Sequence, residues 1–287
     1  MTTDNHSESH TFDAWATYFE ANLERHERLD AGIPWASTPV LSGADTVALV
    51  HSLQKFELGE SGEGKGLLAK ARGRNDASYD AALVLFIAEE QKHSALFAGA
   101  LTRFGAERLT SDWTDGVFVV LRRLMGLRTE VTLFLIAETV AMEYFEALGR
   151  SSDPVLRGVA RRVLTDEVEH IRFQIDQLRA GFERSSMVTR WVAAAAAWVV
   201  ALGAATVVAI DHGPALHALG LRRLTFWRRT LRHAARALPQ AFRLSGTSAP
   251  FGPSAPPASS SRPPSARTRL LTSAHRAGRK CGFAGAK

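Results

Sequence analysis

Residues 83–97 read LVLFIAEEQKHSALF, and residues 163–173 read VLTDEVEHIRF. Both stretches contain Glu-x-x-His, first as Glu90 with His93 and then as Glu167 with His170. Residues three apart on an α-helix lie side by side on one face, so each motif aims a carboxylate and an imidazole in the same direction. The two motifs therefore predict paired metal ligands on two helices.

The ionisable residues of these motifs occupy positions in the apolar stripes of their helices. In the first stretch the stripe steps through Leu83, Phe86, Glu90, His93 and Phe97 at intervals of three or four residues. The helical period continues over four stretches, at residues ~44–72, ~77–104, ~129–149 and ~154–181. The first and third stretches also carry a carboxylate in the stripe, at Glu60 and Glu138. Four helices thus each aim an acid towards the core.

Buried carboxylates need compensating cations, because an unpaired charge in an apolar core costs several kcal/mol. Few arginines or lysines lie on these faces, so we expect two divalent metal ions to supply the positive charge. One Glu from each of two helices and Glu-x-x-His from each of two others is the ligand set of di-iron and di-manganese helical bundles. The sequence predicts this set as Glu60, Glu90, His93, Glu138, Glu167 and His170.

The predicted ligands also lie at matching heights. Glu60 and Glu90 each lie roughly 21–23 Å from the turn RGRND between their helices, at ~1.5 Å of rise per residue. Glu138 and Glu167 are placed in the same way about the turn SSDP. Residues 105–128 form a connection long enough to return along the bundle, and no stretch alternates as a half-buried strand would. We expect an all-α fold, an up-down-down-up four-helix bundle.

The segments FELGESGEG, FIAEEQKH, LIAETVAMEY and LTDEVEHIRF resemble the ferritin-like family, including rubrerythrin-type bundles, over about half of the chain. The resemblance implies a carboxylate-bridged di-iron site at the six predicted ligands that reacts with oxygen or peroxide, with manganese as the alternative metal. It also implies that Glu89 and Asp166 orient the two histidines. Glu57 and Glu63 flank Glu60 in a glycine-rich segment, where they compete with it as ligands or support the site.

Two functions follow from this interpretation. The first is a di-iron oxidoreductase of the ferroxidase, peroxidase or oxidase/hydroxylase type, acting on O2 or peroxide. It would need an external electron donor, because the sequence has no cysteine pairs of the rubredoxin kind. The alternative is a membrane-associated metal-binding, storage or structural module without turnover. The sequence favours an enzyme but leaves both open.

The charge is divided along the chain. Residues 212–287 carry fourteen Lys/Arg and no acid, whereas residues 1–211 have a net charge of −8. Such a basic segment is attracted to anionic lipid or to nucleic acid, and the absence of a nucleic-acid-binding motif makes a membrane surface the better expectation. Cys281 is the single cysteine, and the first residues do not form a signal peptide. We expect a cytoplasmic protein, with membrane association through residues 191–236.

The sequence divides into five predicted segments. They are a polar leader with an amphipathic helix at 1–40, the bundle at 41–182, an apolar helix at 187–211, a basic amphipathic helix at 212–243 and a disordered Pro/Ser-rich tail at 244–287. Within the apolar helix, residues from Trp191 to Ile210 carry no charge. This length fits a membrane span, and it equally fits a buried fifth helix packed on the bundle or in a homodimer interface.

Overall fold

The computed structural model describes residues 11–41, 43–112, 116 and 125–244, and the regular elements in this part of the chain are all α-helices. The all-α prediction is confirmed for these residues. The helices are α1 (Phe12–Ala31), α2 (Gly43–Glu60), α3 (Lys65–Arg72), α4 (Ala77–Arg103), α5 (Leu127–Leu148), α6 (Pro154–Gly181), α7 (Met187–Asp211), α8 (Gly213–Ala218) and α9 (Arg223–Ala241).

The two helices that carry the Glu-x-x-His motifs begin at aspartate caps. The Asp76 side chain accepts a hydrogen bond from the backbone N–H of Tyr79 at the start of α4. The Asp153 side chain accepts from Val155 and Leu156 at the start of α6, where Pro154 occupies the first turn. These caps satisfy backbone donors that the helix itself leaves unpaired. The observed bounds of α4 and α6 agree with the predicted ones.

The prediction of one helix over residues ~44–72 is wrong, because the chain breaks there into α2 and α3. Gly64, which precedes α3, has a φ of 62°, in the left-handed region that favours glycine. A Cβ at this position would lie 2.4 Å from Cδ1 of Ile87 on α4. The break makes Glu60 the last residue of α2.

The helices with the predicted ligands pack in pairs, α2 against α4 and α5 against α6, and α4 also packs against α6. The amphipathic helix α1 lies over α4 and α6, and its buried Trp15 and Phe19 join the apolar core. Part of the predicted return connection at 105–128, residues 113–115 and 117–124, lies outside the described residues.

The C-terminal helices extend this body. α7 packs on α5 and α9, α9 also contacts α5 and α6, and α8 packs on α2. Among the described residues, only α7 is long and apolar enough to cross a membrane by length and composition, and 28% of its most apolar window is buried. The predicted tail at 244–287, apart from Leu244, lies outside the described residues.

Candidate metal centre

The two Glu-x-x-His motifs meet between α4 and α6. Ligand atoms of Glu90, His93, Glu167 and His170 all lie within 4.8 Å of one another. The two imidazole rings are 5.4 Å apart between centroids, and neither histidine is exposed to solvent. The sequence spacing thus brings two carboxylates and two imidazoles to one buried point.

Within this cluster each Nδ1 atom faces a carboxylate of the opposite helix. Nδ1 of His170 lies 2.7 Å from Oε1 of Glu90, and Nδ1 of His93 lies 3.4 Å from Oε1 of Glu167. The two helices contribute alike, since each motif presents its imidazole to the glutamate of the other motif. The arrangement has an approximate two-fold character.

The outer nitrogen of each histidine is held by the carboxylate that precedes the opposite motif. Nε2 of His93 lies 3.0 Å from Oδ2 of Asp166, and Nε2 of His170 lies 2.9 Å from Oε2 of Glu89. Burial disfavours the charged form of Asp166, but hydrogen bonds from His26 and His93 hold its pKa well below the usual range. An ionised carboxylate only accepts hydrogen bonds, so Nε2–H of His93 donates to it and Nδ1 faces the centre.

Glu60 and Glu138 lie beside these four residues. Glu60 lies close enough to Glu90, Glu167 and Glu138 for their charges to act on it. Glu138, which is 7% exposed, accepts a hydrogen bond from the side-chain amide of Gln174. The helices α2 and α5 therefore each bring one carboxylate to the motifs of α4 and α6.

The protonation of the cluster reflects uncompensated negative charge. Burial, followed by the charges of neighbouring carboxylates, raises the pKa of Glu60 and of Glu138 well above the usual value. Burial opposes protonation of His93, but its hydrogen bond to Asp166 and the charge of Glu167 raise its pKa to about 9. The charge of Glu90 raises the pKa of His170 against the effect of burial.

The residues fit a metal centre, because the atoms that would bind cations face one another without forming hydrogen bonds of normal geometry. Among the described residues, the buried side-chain atoms without a partner include Nδ1 of both histidines, Oε1 of Glu90, Oε2 of Glu138 and both carboxylate oxygens of Glu167. Buried polar groups normally have partners, and leaving one without costs roughly 1–3 kcal/mol. Six such atoms lie in one cluster that could hold metal.

Aromatic side chains close one side of the cluster. The rings of Phe86 and Phe19 lie 4.8 and 6.1 Å from the His170 ring between centroids, and Phe173 packs on both phenylalanines. These rings exclude water from His170. Low local polarity strengthens electrostatic interactions between the ligands and a bound cation.

Helix α1 supplies buried polar residues that the sequence interpretation missed. His26 lies 3.0 Å from Oδ1 of Asp166 through Nε2, and Nδ2 of Asn22 donates to Oε1 of Glu89 at 3.0 Å. Arg162 of α6, only 2% exposed, donates to Asp166 and, at 2.9 Å, to Asp30. Asn22 and His26 fall on the same face as Trp15 and Phe19. Their position as polar residues within that apolar stripe is the feature of the sequence that could have identified them.

The other predicted supporting residues, Glu57 and Glu63, have partners of their own. Glu57 is buried and accepts hydrogen bonds from Ser94 at 2.9 Å and from Arg108. Glu63 forms an exposed ion pair with Lys65. A further group of possible metal-binding residues, Glu143, Glu146 and His233, includes an ion pair between Glu143 and Arg229 at 3.0 Å. That arginine already compensates Glu143.

No family model, curated protein or solved structure matches this chain. The described residues therefore establish an all-helical protein with buried His/Glu/Asp clusters suited to holding metal.

Proposed function

We propose that the chain is a ferritin-like two-metal redox protein that reacts with O2 or peroxide. The observation that carries the proposal is the buried cluster of Nδ1 and carboxylate atoms between α4 and α6, which face one another without forming hydrogen bonds of normal geometry. The order of ligands along the chain, Glu, Glu-x-x-His, Glu, Glu-x-x-His, is that of the ferritin-like carboxylate bundles. We also propose that residues 41–182 form an up-down-down-up four-helix bundle.

Charge supports two metal ions rather than one. Glu60, Glu90, Glu138 and Glu167 together carry four negative charges when ionised, which two divalent cations neutralise. One divalent cation would leave two charges uncompensated in a buried site, at a cost of several kcal/mol. Asp166 does not add to this demand, because Arg162 pairs with it, and the oxygens of Glu89 accept hydrogen bonds from His170 and Asn22.

The ligand set favours iron, with manganese as the alternative. Carboxylate oxygens are good ligands for hard cations. Iron accepts both carboxylate and imidazole ligands. Bound ferrous ions would supply electrons to O2 or peroxide. The chain would contribute the remaining functions: Glu89 and Asp166 fix the histidine tautomers, and Phe19 and Phe86 keep water from His170.

Continued turnover would require electrons from outside the protein. The sequence contains one cysteine, Cys281, so it cannot form the cysteine-ligated centre that would deliver electrons internally. We place the reaction in the cytoplasm, where reductants that could supply these electrons are available.

The first test is metal content by elemental analysis of protein purified without added metal. We expect about two iron or manganese ions per chain, the number in carboxylate-bridged sites. Glu90→Gln with Glu167→Gln should lose both ions, because an amide is a poor ligand for a hard cation. The matched control, Glu20→Ala with Glu27→Ala, alters two exposed glutamates of α1 and should keep them.

Absence of metal after anaerobic reconstitution with ferrous iron would refute the metal centre, provided that circular dichroism shows the helices intact. Oxygen consumption by the iron-loaded protein with an added reductant then tests turnover. Metal retention without consumption of O2 or peroxide would favour the storage or structural module instead.

A further inference from the structure

The exposed side of α7 is an apolar surface that no described residue covers. It includes Val188, Val192, Val199 and Ile210, which are 62–72% exposed, together with Trp191 at 56% and Leu202 at 40%. Steps of three and four residues place Val188, Val192, Val199, Leu202 and Ile210 on one face of the helix. Mean hydropathy over its most apolar window is 2.2, and only 28% of that window is buried. A core helix would be mostly covered, whereas this face is left open by the described residues.

The opposite side of α7 packs against the rest of the protein. Ala194, Ala197, Ala201, Ala205 and Ala209 are 0–6% exposed and pack where α7 contacts α5 and α9. Their small side chains allow close contact with these helices along most of α7. Crossing a bilayer would separate α7 from both helices and expose their apolar surfaces. The packing therefore favours a helix that lies on the protein and presents its other face outward.

Exposed arginines lie on the helix beside this apolar surface. Arg223, Arg228, Arg232 and Arg236 of α9 and its N-cap residue Arg222 are exposed, and α9 packs directly on α7. Nε1–H of Trp227 donates to Oγ1 of Thr206 at 3.1 Å, which ties the first half of α9 to the exposed part of α7. The sequence from His212 to Lys287 contains no acidic residue to offset these charges.

We propose that α7 and α9 dock the protein on an anionic lipid surface, with α7 lying in the plane of the membrane interface. The exposed apolar face of α7 would enter the boundary between headgroups and acyl chains, and the arginines of α9 would meet the negative headgroups. Charge complementarity favours lipid over a second copy of the chain. A two-fold dimer through α7 would bring two sets of α9 arginines towards one another.

Flotation of the full-length, metal-loaded protein with vesicles tests this proposal. We expect binding to phosphatidylcholine vesicles that contain phosphatidylglycerol, weak binding to pure phosphatidylcholine, and release by high salt. Val199→Glu should lower the partition coefficient about tenfold or more, because it places a charge on the apolar face. Val47→Glu on α2 is the matched control, since Val47 and Val199 are both 70% exposed.

A second pair of variants separates charge from apolar contact. Arg228→Glu with Arg232→Glu should abolish the preference for phosphatidylglycerol, whereas Arg161→Glu, at an exposed position on α6, should not. Metal content should stay unchanged in Val199→Glu, so failure of lipid binding is distinguishable from failure of the metal site.

Several results would overturn the proposal. Equal binding by the wild type and Val199→Glu would assign binding to another segment, such as the basic tail. A dimer in sedimentation velocity that Val199→Glu dissociates, without lipid binding by the wild type, would make this face an interface between copies. Resistance to extraction by alkaline carbonate would indicate a spanning helix. Absence of both lipid binding and self-association would leave the surface without the proposed role.

Discussion

Nε2 of His93 on α4 lies 3.0 Å from Oδ2 of Asp166 on α6, and the reverse pairing holds His170 of α6 against Glu89 of α4 at 2.9 Å. In each motif the acid just before the predicted ligand glutamate therefore serves the histidine of the opposite helix. Because each histidine bonds to an acid on the opposite helix, the orientation of both imidazoles depends on how the two helices pack. It also explains the sequence pattern of paired acids, Glu89–Glu90 and Asp166–Glu167.

Glu89→Gln should weaken metal binding about 10- to 100-fold, the usual effect of losing a residue that orients a ligand histidine. The glutamine would have to accept from both Nε2–H of His170 and Nδ2 of Asn22, which the carboxylate does with two separate oxygens. Competition titrations with a metal-binding dye measure the affinity. Glu27→Gln, at an exposed position on α1, is the control. Equal affinities for Glu89→Gln and the wild type would show that Glu89 does not orient the site.

Glu138→Gln should have opposite effects on the metal-free and metal-loaded protein. Burial and the charges of Glu167 and Glu90 raise the pKa of Glu138 above its usual value of 4.5. At pH values where a free glutamate is ionised, keeping this carboxylate ionised in the folded protein is therefore unfavourable. The neutral amide should raise the free energy of unfolding of the metal-free protein by about 1 kcal/mol. Its Oε1 can still accept from Gln174.

Metal-loaded Glu138→Gln should lose part of the increase in Tm that metal gives the wild type, because one ligand is weakened. Thermal unfolding before and after addition of Mn2+ measures both effects. An unchanged metal-dependent increase in Tm would remove Glu138 from the predicted ligand set.

The motif pair could be found in the sequence because the local rules and the tertiary arrangement agree. Helical spacing places Glu90 beside His93, and the aspartate caps fix where α4 and α6 begin. The same rule, applied to α1, would have identified Asn22 and His26 as polar residues within an apolar stripe. What it could not supply is their partners, since Glu89 and Asp166 lie far away in the sequence.

Other features depend on packing that periodicity does not reveal. The break after Glu60 requires the close approach of Gly64 to Ile87 of α4, a contact between helices. Similarly, the composition of α7 fits a span and a buried helix equally well. Its structure combines features of both, because the alanine face is covered while the valine face is exposed.

Arg162→Leu should destabilise the protein by roughly 3 kcal/mol or more, the usual cost of removing one partner from a buried ion pair. Arg162 is 2% exposed and donates to Asp166 and Asp30, so its loss leaves the buried Asp166 carboxylate with less compensation. Arg161→Leu changes the exposed neighbouring arginine and should alter stability by less than about 0.5 kcal/mol. Urea unfolding measures both free energies. Similar values for the two variants would contradict a stabilising role for the buried pair.

His212 should make the stability of the protein depend on pH in mildly acidic solution. Burial lowers the pKa of His212 to about 4 from its ordinary value of 6.5, in spite of the nearby Asp211 carboxylate. Nδ1 of this neutral ring lies 2.6 Å from Oγ of Ser52, which donates its own proton to Oη of Tyr144 at 2.7 Å. The imidazole therefore takes part in a buried hydrogen-bonded group between α2, α5 and the start of α8.

The sign of this dependence follows from the two pKa values. Between pH 6.5 and pH 4 the unfolded chain binds a proton at His212 that the folded chain does not, so the free energy of unfolding falls as the pH falls. The loss from this group should reach about 3 kcal/mol by pH 4, at ~1.36 kcal/mol for each unit of pKa shift. Urea unfolding at a series of pH values measures it.

His212→Asn should remove this component, because the asparagine cannot take up the proton, while its Nδ2 can still donate to Oγ of Ser52. The exposed His217 provides the control, and His217→Asn should keep the wild-type slope. Other groups titrate over the same interval, so the informative quantity is the difference in slope between each variant and the wild type. Equal slopes for His212→Asn and the wild type would mean that His212 does not remain neutral in the folded protein.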